Sequence, residues 1–231
     1  MLKSFTVANF KAFEKAVTLD FSAIGHYEFQ PEAIKNNIVK TAIMYGKNAS
    51  GKSSIAIGLF DIVSNLTDKY ANKNEYDNYQ NIFNTDQAVE FTYLFSFQNK
   101  EVTYQYKKLN IDSFISETLI IDGKTVIAYD KEYPHKDFTI SLAGAETLNK
   151  DLSNLQISAL KWVKNNSSLV DTIENRIFYE LFNFVDQMLL FWSLNNRSFI
   201  GYTSITDGRI MDGIIQTHHF EDLQKFFRMA G

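Results

Sequence analysis

Residues 46–53 have the residue types and the spacing of a loop that binds nucleotide phosphates, since they read Gly46-Lys47-Asn48-Ala49-Ser50-Gly51-Lys52-Ser53, or G-x-x-x-x-G-K-S. Gly46 and Gly51 lack a Cβ, so backbone N–H groups can approach the phosphates closely. Lys52 would place its charge beside the β- and γ-phosphates, and the Ser53 hydroxyl suits a Mg²⁺ that keeps most of its waters. The pattern therefore predicts a site for a nucleoside triphosphate with Mg²⁺.

A strand and a helix are predicted on the two sides of this loop. The apolar segment from Ile38 to Tyr45 precedes it, and Ile43-Met44-Tyr45 predicts a central strand buried on both faces. After the loop, apolar residues recur at helical spacing, which predicts a helix from Lys52 to about Asp68. Its positive N-terminal end would lie at the phosphates. Asp61 and Asp68 are predicted to lie on the solvated face of that helix.

The segments around this core motif have weaker but readable patterns. Alternation of apolar and polar residues predicts two N-terminal strands, over residues 2–7 and 17–21. The segment from Lys69 to Gln87 is rich in Asn, Asp and Lys and predicts a solvated loop or a broken helix.

The second half of the chain changes from strand to helix. Residues 89–140 alternate with a period of two, which predicts an antiparallel meander with a tight turn at Asp122-Gly123. Residues 145–195 show helical periods, with an apolar stripe that is typical of core packing: Ile173, Ile177, Leu181, Phe184, Val185, Met188, Leu189 and Trp192. Residues 220–229 predict one more amphipathic helix. His218-His219 beside Asp222 predicts a surface pair rather than a metal site.

Composition limits the classes of protein that fit. The chain has 231 residues, 45% of them hydrophobic, and a formal net charge of −4, so it has no overall basic field for nucleic acid or an anionic membrane. Cysteine is absent, which excludes disulfides and thiolate chemistry. No secretion signal or apolar run approaching 18 residues is visible, and a cytoplasmic protein is expected.

Two motifs together resemble those of one protein family. The first strand runs into Asn9-Phe10-Lys11-Ala12-Phe13, and the loop 46–53 has Asn48 at its third position. Both are similar to sequences of ABC-type ATPases of the SMC, RecF and overcoming-lysogenization kind, and in particular of small prokaryotic AAA-labelled ATPases from anti-phage and abortive-infection systems. The resemblance implies an α/β P-loop NTPase fold of the ABC-type head lobe. Such a lobe has a mixed central sheet, an antiparallel β meander and a following helical segment.

The same resemblance implies site residues and a division of the chain. Mg-ATP would be held by Lys11 and by Gly46, Asn48, Ala49, Ser50, Gly51, Lys52, Ser53 and Ser54, with the Mg²⁺ at Ser53. Residues 1–68 would hold the strand pair, the loop and the first helix. Residues 88–140 would form the antiparallel region, and residues 145–231 a mainly helical region.

Two motifs of a working ATPase head are missing from the sequence. No apolar strand ends in Asp-Glu, the pair that would support Mg²⁺ and polarise the attacking water, and no Ser-Gly-Gly signature occurs. Residues 220–231 are also similar to an interior stretch of the family. The chain is therefore expected to be the N-terminal portion of a longer ATPase, and its catalytic residues stay unassigned.

Partners follow only from the resemblance. It implies self-association through ATPase heads and a toxin or nuclease effector, which the ATPase would control as a sensor or scaffold of an anti-phage defence complex. A DNA-repair type ABC ATPase and a non-hydrolysing nucleotide-binding module remain alternatives. A GTPase or a phosphotransferase fits less well, because no Asn/Thr-Lys-x-Asp motif is present and arginine occurs only four times.

Overall fold

The computed structural model describes residues 1–25, 31–69, 73–131, 138–149, 152, 157–193 and 198–200, together with 221, 224, 225 and 228. The chain divides into two units, residues 1–201 and residues 202–231. In the second unit the four described residues are helical. The prediction of a helix over residues 220–229 therefore lies largely outside the described residues, as do His218, His219 and Asp222.

The first unit is built on a seven-stranded antiparallel sheet. Its strands follow the order β2-β1-β5-β6-β7-β8-β9 and are β1 (Leu2–Ala8), β2 (Val17–Asp20), β5 (Val89–Phe97), β6 (Lys100–Asn110), β7 (Ser113–Ile121), β8 (Lys124–Asp130) and β9 (Thr139–Ile140). Two small two-stranded sheets accompany it: β3 (Ile34–Lys35) with β4 (Ile38–Val39), and β10 (Leu190–Ser193) with β11 (Ser198–Ile200). Short 3₁₀ turns span Pro31–Ala33 and Lys73–Tyr76.

Tight two-residue turns set the register of the long hairpins. Gln98 and Asn99 join β5 to β6 with φ values of 50° and 62°, and Asp122 and Gly123 join β7 to β8 with 52° and 77°. Two consecutive left-handed residues are the turn geometry that matches the twist of the flanking strands. The predicted antiparallel meander and the turn at Asp122-Gly123 are confirmed.

Three helices accompany the sheet in the described residues of the first unit: α1 (Lys52–Leu66), α2 (Ala159–Asn166) and α3 (Ile173–Asp186). The core forms where α1 and α3 cover the apolar face of the central strands. The Tyr93 hydroxyl of β5 donates to the Gly58 carbonyl of α1 at 2.9 Å, and the ring of Phe95 meets that of Phe184 at 5.4 Å. None of the described helices is long and apolar enough to cross a membrane.

The opposite face of the sheet is polar. A row of directly paired residues crosses it from β2 to β7: Thr18, Thr6, Thr92, Gln105 and Thr118. An antiparallel sheet with one covered and one solvated face alternates in this way, and the alternation explains why its strands could be predicted.

The predicted fold class is wrong. A mixed central sheet of the P-loop NTPase head type is not what forms, because the large sheet pairs antiparallel throughout the described strands. The predicted central strand is also wrong: residues 41–47 have no regular structure, and the side chains of Ile43 and Tyr45 are 88% and 91% exposed. Its apolar run finds no neighbouring strand in the described chain, whereas each meander strand pairs with a neighbour close in sequence.

Two smaller expectations also need correction. The helical stripe ends at Asp186, so that Leu190 to Trp192 lie in strand β10 rather than in a helix. Leucine followed by two aromatic residues favours the extended backbone. In the segment from Lys69 to Gln87, the side chains of Tyr76 and Tyr79 are buried, so this segment is not simply solvated.

Candidate phosphate-binding site

The loop before α1 is shaped by two residues with left-handed backbone. Ala49 has a φ of 61° and Gly51, the residue before the helix, has a φ of 89°. A Cβ built at position 51 would lie 2.8 Å from the ring of Phe13. Two separate reasons therefore favour glycine at position 51: its left-handed backbone angle and the Phe13 ring packed against it.

Lys52 closes the loop on itself. Its ammonium donates to the carbonyl oxygens of Gly46 at 2.8 Å and Lys47 at 2.6 Å. The Ser50 N–H donates to the same Lys47 carbonyl at 3.3 Å. The cation is thus held over the loop by neutral acceptors, which an anion could replace.

The N terminus of α1 carries its helix dipole without compensation. In the described residues no side chain caps it and its first turn has no acidic residue. Asn48, Ala49, Ser50 and Ser53 are exposed, and Ser54 is half-buried. Free N–H groups at a helix start attract anions, and the Lys52 charge adds to that attraction.

A tight turn over residues 9–13, here called the Lys11 turn, packs against this loop. It is closed by paired backbone hydrogen bonds between Phe10 and Phe13, of 2.9 and 2.8 Å. Phe13 and Ala12 are the residues that a Cβ at Gly51 would meet. The structure therefore brings the two sequence motifs into contact, although they lie far apart in the chain.

The Lys11 and Lys52 ammonium groups have different hydrogen-bond acceptors. Its ammonium donates to the Asp77 carbonyl at 2.6 Å and lies 5.7 Å from the centre of the Phe10 ring. Burial lowers the pKa of Lys11, and the carboxylates of Asp77 and Glu75 oppose that shift. The family resemblance implied that Lys11 lies near a nucleotide. In the structure its turn lies against the loop at Gly51, and its ammonium donates to the Asp77 carbonyl.

An apolar groove adjoins the first turns of α1. Its volume is about 480 Å³, and its polar lining comes from Lys52 and Ser53, whereas its apolar lining comes from Leu19, Met44, Ile55, Ala56, Leu59 and Leu190. Grooves of this size and composition hold small organic ligands. A ligand with a flat apolar part and an anionic tail would find both kinds of surface here.

A buried polar cluster, here called the Asp61 cluster, fixes the middle of α1 to the sheet. The Asp61 carboxylate accepts hydrogen bonds from Tyr79 at 2.8 Å, Tyr106 at 3.0 Å, Lys108 at 3.2 Å and Asn65 at 3.3 Å. The side chains of Asp61 and Lys108 are both fully buried. Burial lowers the pKa of Lys108, and the Asp61 charge opposes that shift.

This cluster escaped the sequence prediction, which wrongly placed Asp61 on a solvated face. Asp68 is 92% exposed, as expected. The signal for Lys108 was present in β6, where Val102, Tyr104 and Tyr106 alternate inward and Lys108 is the next residue in that series.

A second buried acid, Glu117 of β7, lies at the start of α2. It accepts hydrogen bonds from the Tyr104 hydroxyl at 2.6 Å, the Ser158 hydroxyl at 2.7 Å and the Ala159 N–H. Burial raises the pKa of Glu117 from 4.5 to about 7, against the opposing effect of those donors and of Lys108. These contacts anchor the start of α2 to the sheet.

The described residues contain no group of three or more acidic or histidine side chains that could hold a metal ion by themselves. Comparison with protein-family models gives no match, and neither does comparison with curated protein sequences.

Proposed function

We propose that residues 46–54 bind the phosphates of Mg-ATP and that the chain serves as the ATP-binding part of an ATPase-type assembly. The observation that carries the proposal is the position of the Lys52 ammonium, held over the loop by the Gly46 and Lys47 carbonyls. A bound phosphate would offer that ammonium charged acceptors in place of neutral ones, which strengthens the hydrogen bonds.

Three further features support a nucleotide rather than a simple anion. The α1 N terminus is uncapped, Gly51 has a left-handed backbone with a φ of 89° that shapes the loop, and the neighbouring groove offers apolar walls for a base and ribose. The Ser53 hydroxyl, in the first turn of α1, fits a Mg²⁺ that takes its other ligands from phosphate and water. Such an ion would neutralise phosphate charge.

The described loop region supports binding better than hydrolysis. Activation of water needs a carboxylate at the γ-phosphate, and in the described residues the first turn of α1 contains none. We infer that the chain alone binds Mg-ATP and turns it over negligibly, with the activating group supplied by another polypeptide segment or a second copy. The defence role and its toxin or nuclease effector stay predictions from the sequence resemblance.

Equilibrium binding of a fluorescent Mg-ATP analogue tests the proposal. Lys52→Ala should weaken binding about 10-fold to 100-fold, because a charged hydrogen bond to phosphate is lost. Lys40→Ala is the matched control, since it removes the same charge from an exposed lysine shortly before the loop. Equal affinity of wild type and Lys52→Ala would contradict the proposal, and so would an equal loss in the two variants.

A steady-state assay of phosphate release tests the second part. We expect no turnover by the isolated chain above the rate of Lys52→Ala. A robust turnover that disappears in Lys52→Ala would show that the chain carries its own activating group and would contradict the inference of binding without hydrolysis.

A further inference from the structure

We propose that Tyr79 is a positioning residue that ties the Lys11 turn to the Asp61 cluster and so fixes Lys11 relative to α1 and its phosphate loop. The inference rests on the proposed function, because it concerns the geometry of that same site. Three sets of contacts carry it.

The first set fixes the hydroxyl of Tyr79. It donates to the Asp61 carboxylate at 2.8 Å inside the Asp61 cluster, where Lys108 supplies the compensating charge at 3.2 Å. Tyr79 and Asp61 are both buried. Hydrogen bonds to a charge in such surroundings are strong, and a partner left unpaired there is costly. The hydroxyl therefore holds Tyr79 to the middle of α1.

The second set joins the rest of Tyr79 to the Lys11 turn. The Tyr79 carbonyl accepts the Lys11 backbone N–H at 3.1 Å, and the ring meets Phe10 edge-on at 5.2 Å. Two residues earlier, the Asp77 carbonyl accepts the Lys11 ammonium at 2.6 Å. The segment from Asp77 to Tyr79 thus contacts the Lys11 backbone, the Lys11 side chain and the ring of the preceding residue, Phe10.

The third set closes a ring of contacts. In the Lys11 turn, Phe13 packs on Gly51, the residue before α1, and Asp61 of α1 accepts the hydrogen bond from Tyr79. Within this ring of contacts, Lys11 belongs to the turn over residues 9–13 and Lys52 belongs to α1. Removing the Tyr79 hydroxyl opens the ring at one bond while the aromatic packing stays. The Lys11 turn would then be held in place by fewer contacts, among them the Phe10 ring against Gly58 and the Asn81 amide on the Lys11 carbonyl at 2.8 Å, and the position of Lys11 would vary more.

Tyr106 provides a matched control within the same cluster. Its hydroxyl also donates to Asp61, at 3.0 Å, but the residue lies on β6. In the described structure none of its hydrogen bonds or ring contacts reaches residues 9–13. Tyr79→Phe and Tyr106→Phe therefore remove the same group from the same acceptor and differ in whether the Lys11 turn loses its anchor.

The experiment measures affinity for a fluorescent Mg-ATP analogue, together with Tm, in both phenylalanine variants, in Lys11→Ala and in Tyr79→Phe/Lys11→Ala. Both phenylalanine variants should lower Tm similarly. Tyr79→Phe should weaken binding about fivefold or more, whereas Tyr106→Phe should change it less than twofold. In the Lys11→Ala background, Tyr79→Phe should have no further effect.

Amide hydrogen exchange without nucleotide gives a second measurement that does not depend on the ligand. The Lys11 amide should exchange faster in Tyr79→Phe than in wild type and should be unchanged in Tyr106→Phe. Equal effects of the two variants on affinity or on this amide would overturn the inference while leaving the proposed function intact. A wild type that binds no analogue would overturn both.

Discussion

Two regions that adjoin Lys52 differ in how far their side chains are buried. The first is the segment over residues 41–50, which precedes it in the chain. The second is the interface between α1, the helix that Lys52 begins, and strands β5 and β6. In the segment, Ile43 and Tyr45 are almost completely exposed and no residue belongs to a strand. In the interface, even the charges of Asp61 and Lys108 are fully buried and hydrogen-bonded. The segment exposes apolar side chains to solvent, whereas the interface buries even charged side chains and gives them hydrogen-bond partners.

This difference separates two properties of the molecule. Buried contacts supply the free energy of unfolding, and ligand-binding segments come from the less stable parts of a structure. Substitutions in the interface should therefore lower stability. Substitutions in residues 41–54 should change binding with less effect on stability, except where backbone angles are constrained.

Lys108→Ala should produce the largest loss of stability. It leaves the Asp61 carboxylate buried without its cation, which should lower the free energy of unfolding by about 3–5 kcal/mol. Urea denaturation measures the effect. The matched control is Lys107→Ala, the adjacent residue of β6, whose half-exposed side chain pairs with Glu90 on the solvated face and should contribute less than about 1 kcal/mol. Similar losses in the free energy of unfolding for the two variants would contradict the expected difference between a buried and an exposed charge.

Glu117 should make stability depend on pH. Its pKa in the folded protein is about 7, above the usual 4.5, so folding favours the protonated acid. The stabilisation from this group is complete below about pH 4.5 and is lost as pH rises through 7. The change corresponds to about 3 kcal/mol.

Glu117→Gln should remove that slope between pH 5 and 8 in unfolding titrations, whatever it does to absolute stability. Tyr104 and Ser158 would still have an oxygen to donate to. A slope that persists unchanged in Glu117→Gln would assign the pH dependence to other groups.

Gly51→Ala and Gly123→Ala compare the loop with a hairpin turn at two glycines that have a similar left-handed backbone angle. Both glycines have a left-handed φ, of 89° and 77°, and either substitution should cost about 1 kcal/mol for that reason. At Gly51 the new methyl also meets Phe13 at 2.8 Å, whereas Gly123 has open space. Gly51→Ala should therefore lose a further 1–2 kcal/mol or so in thermal unfolding. Equal losses of stability in the two variants would mean that the Phe13 ring moves aside without an energetic cost.

Ile43→Ala should have the smallest effect. An exposed side chain away from caps and buried groups changes stability by less than about 0.5 kcal/mol. Ile62→Ala, on the buried face of α1, should cost about 2–5 kcal/mol in the same urea denaturation. A large loss in Ile43→Ala would show that the segment is packed in solution.

The features that the sequence could predict are local ones. The meander follows from alternation along β5 to β8 and from the turn at Asp122-Gly123, and the helix after Gly51 follows from apolar spacing. Each depends on residues within a few positions of one another. The loop glycines were identified for the same reason, since the motif is eight consecutive residues.

The features that could not be predicted depend on distant partners. Whether Ile43 to Tyr45 form a strand depends on a neighbouring strand, and periodicity cannot show that one exists. Whether Asp61 is solvated or buried depends on Tyr79 and Lys108, which lie on separate segments. Lys108 is the exception, because its inward position in β6 was readable from the alternation.

Amide hydrogen exchange with and without Mg-ATP tests the central claim most directly. We expect slower exchange at residues 46–54, where backbone N–H groups would bind phosphate, and no change in β5 to β8. The protection should disappear in Lys52→Ala and persist in Lys40→Ala. Unchanged exchange at residues 46–54 at saturating Mg-ATP, or protection that survives in Lys52→Ala, would contradict the assignment of this loop as a phosphate site.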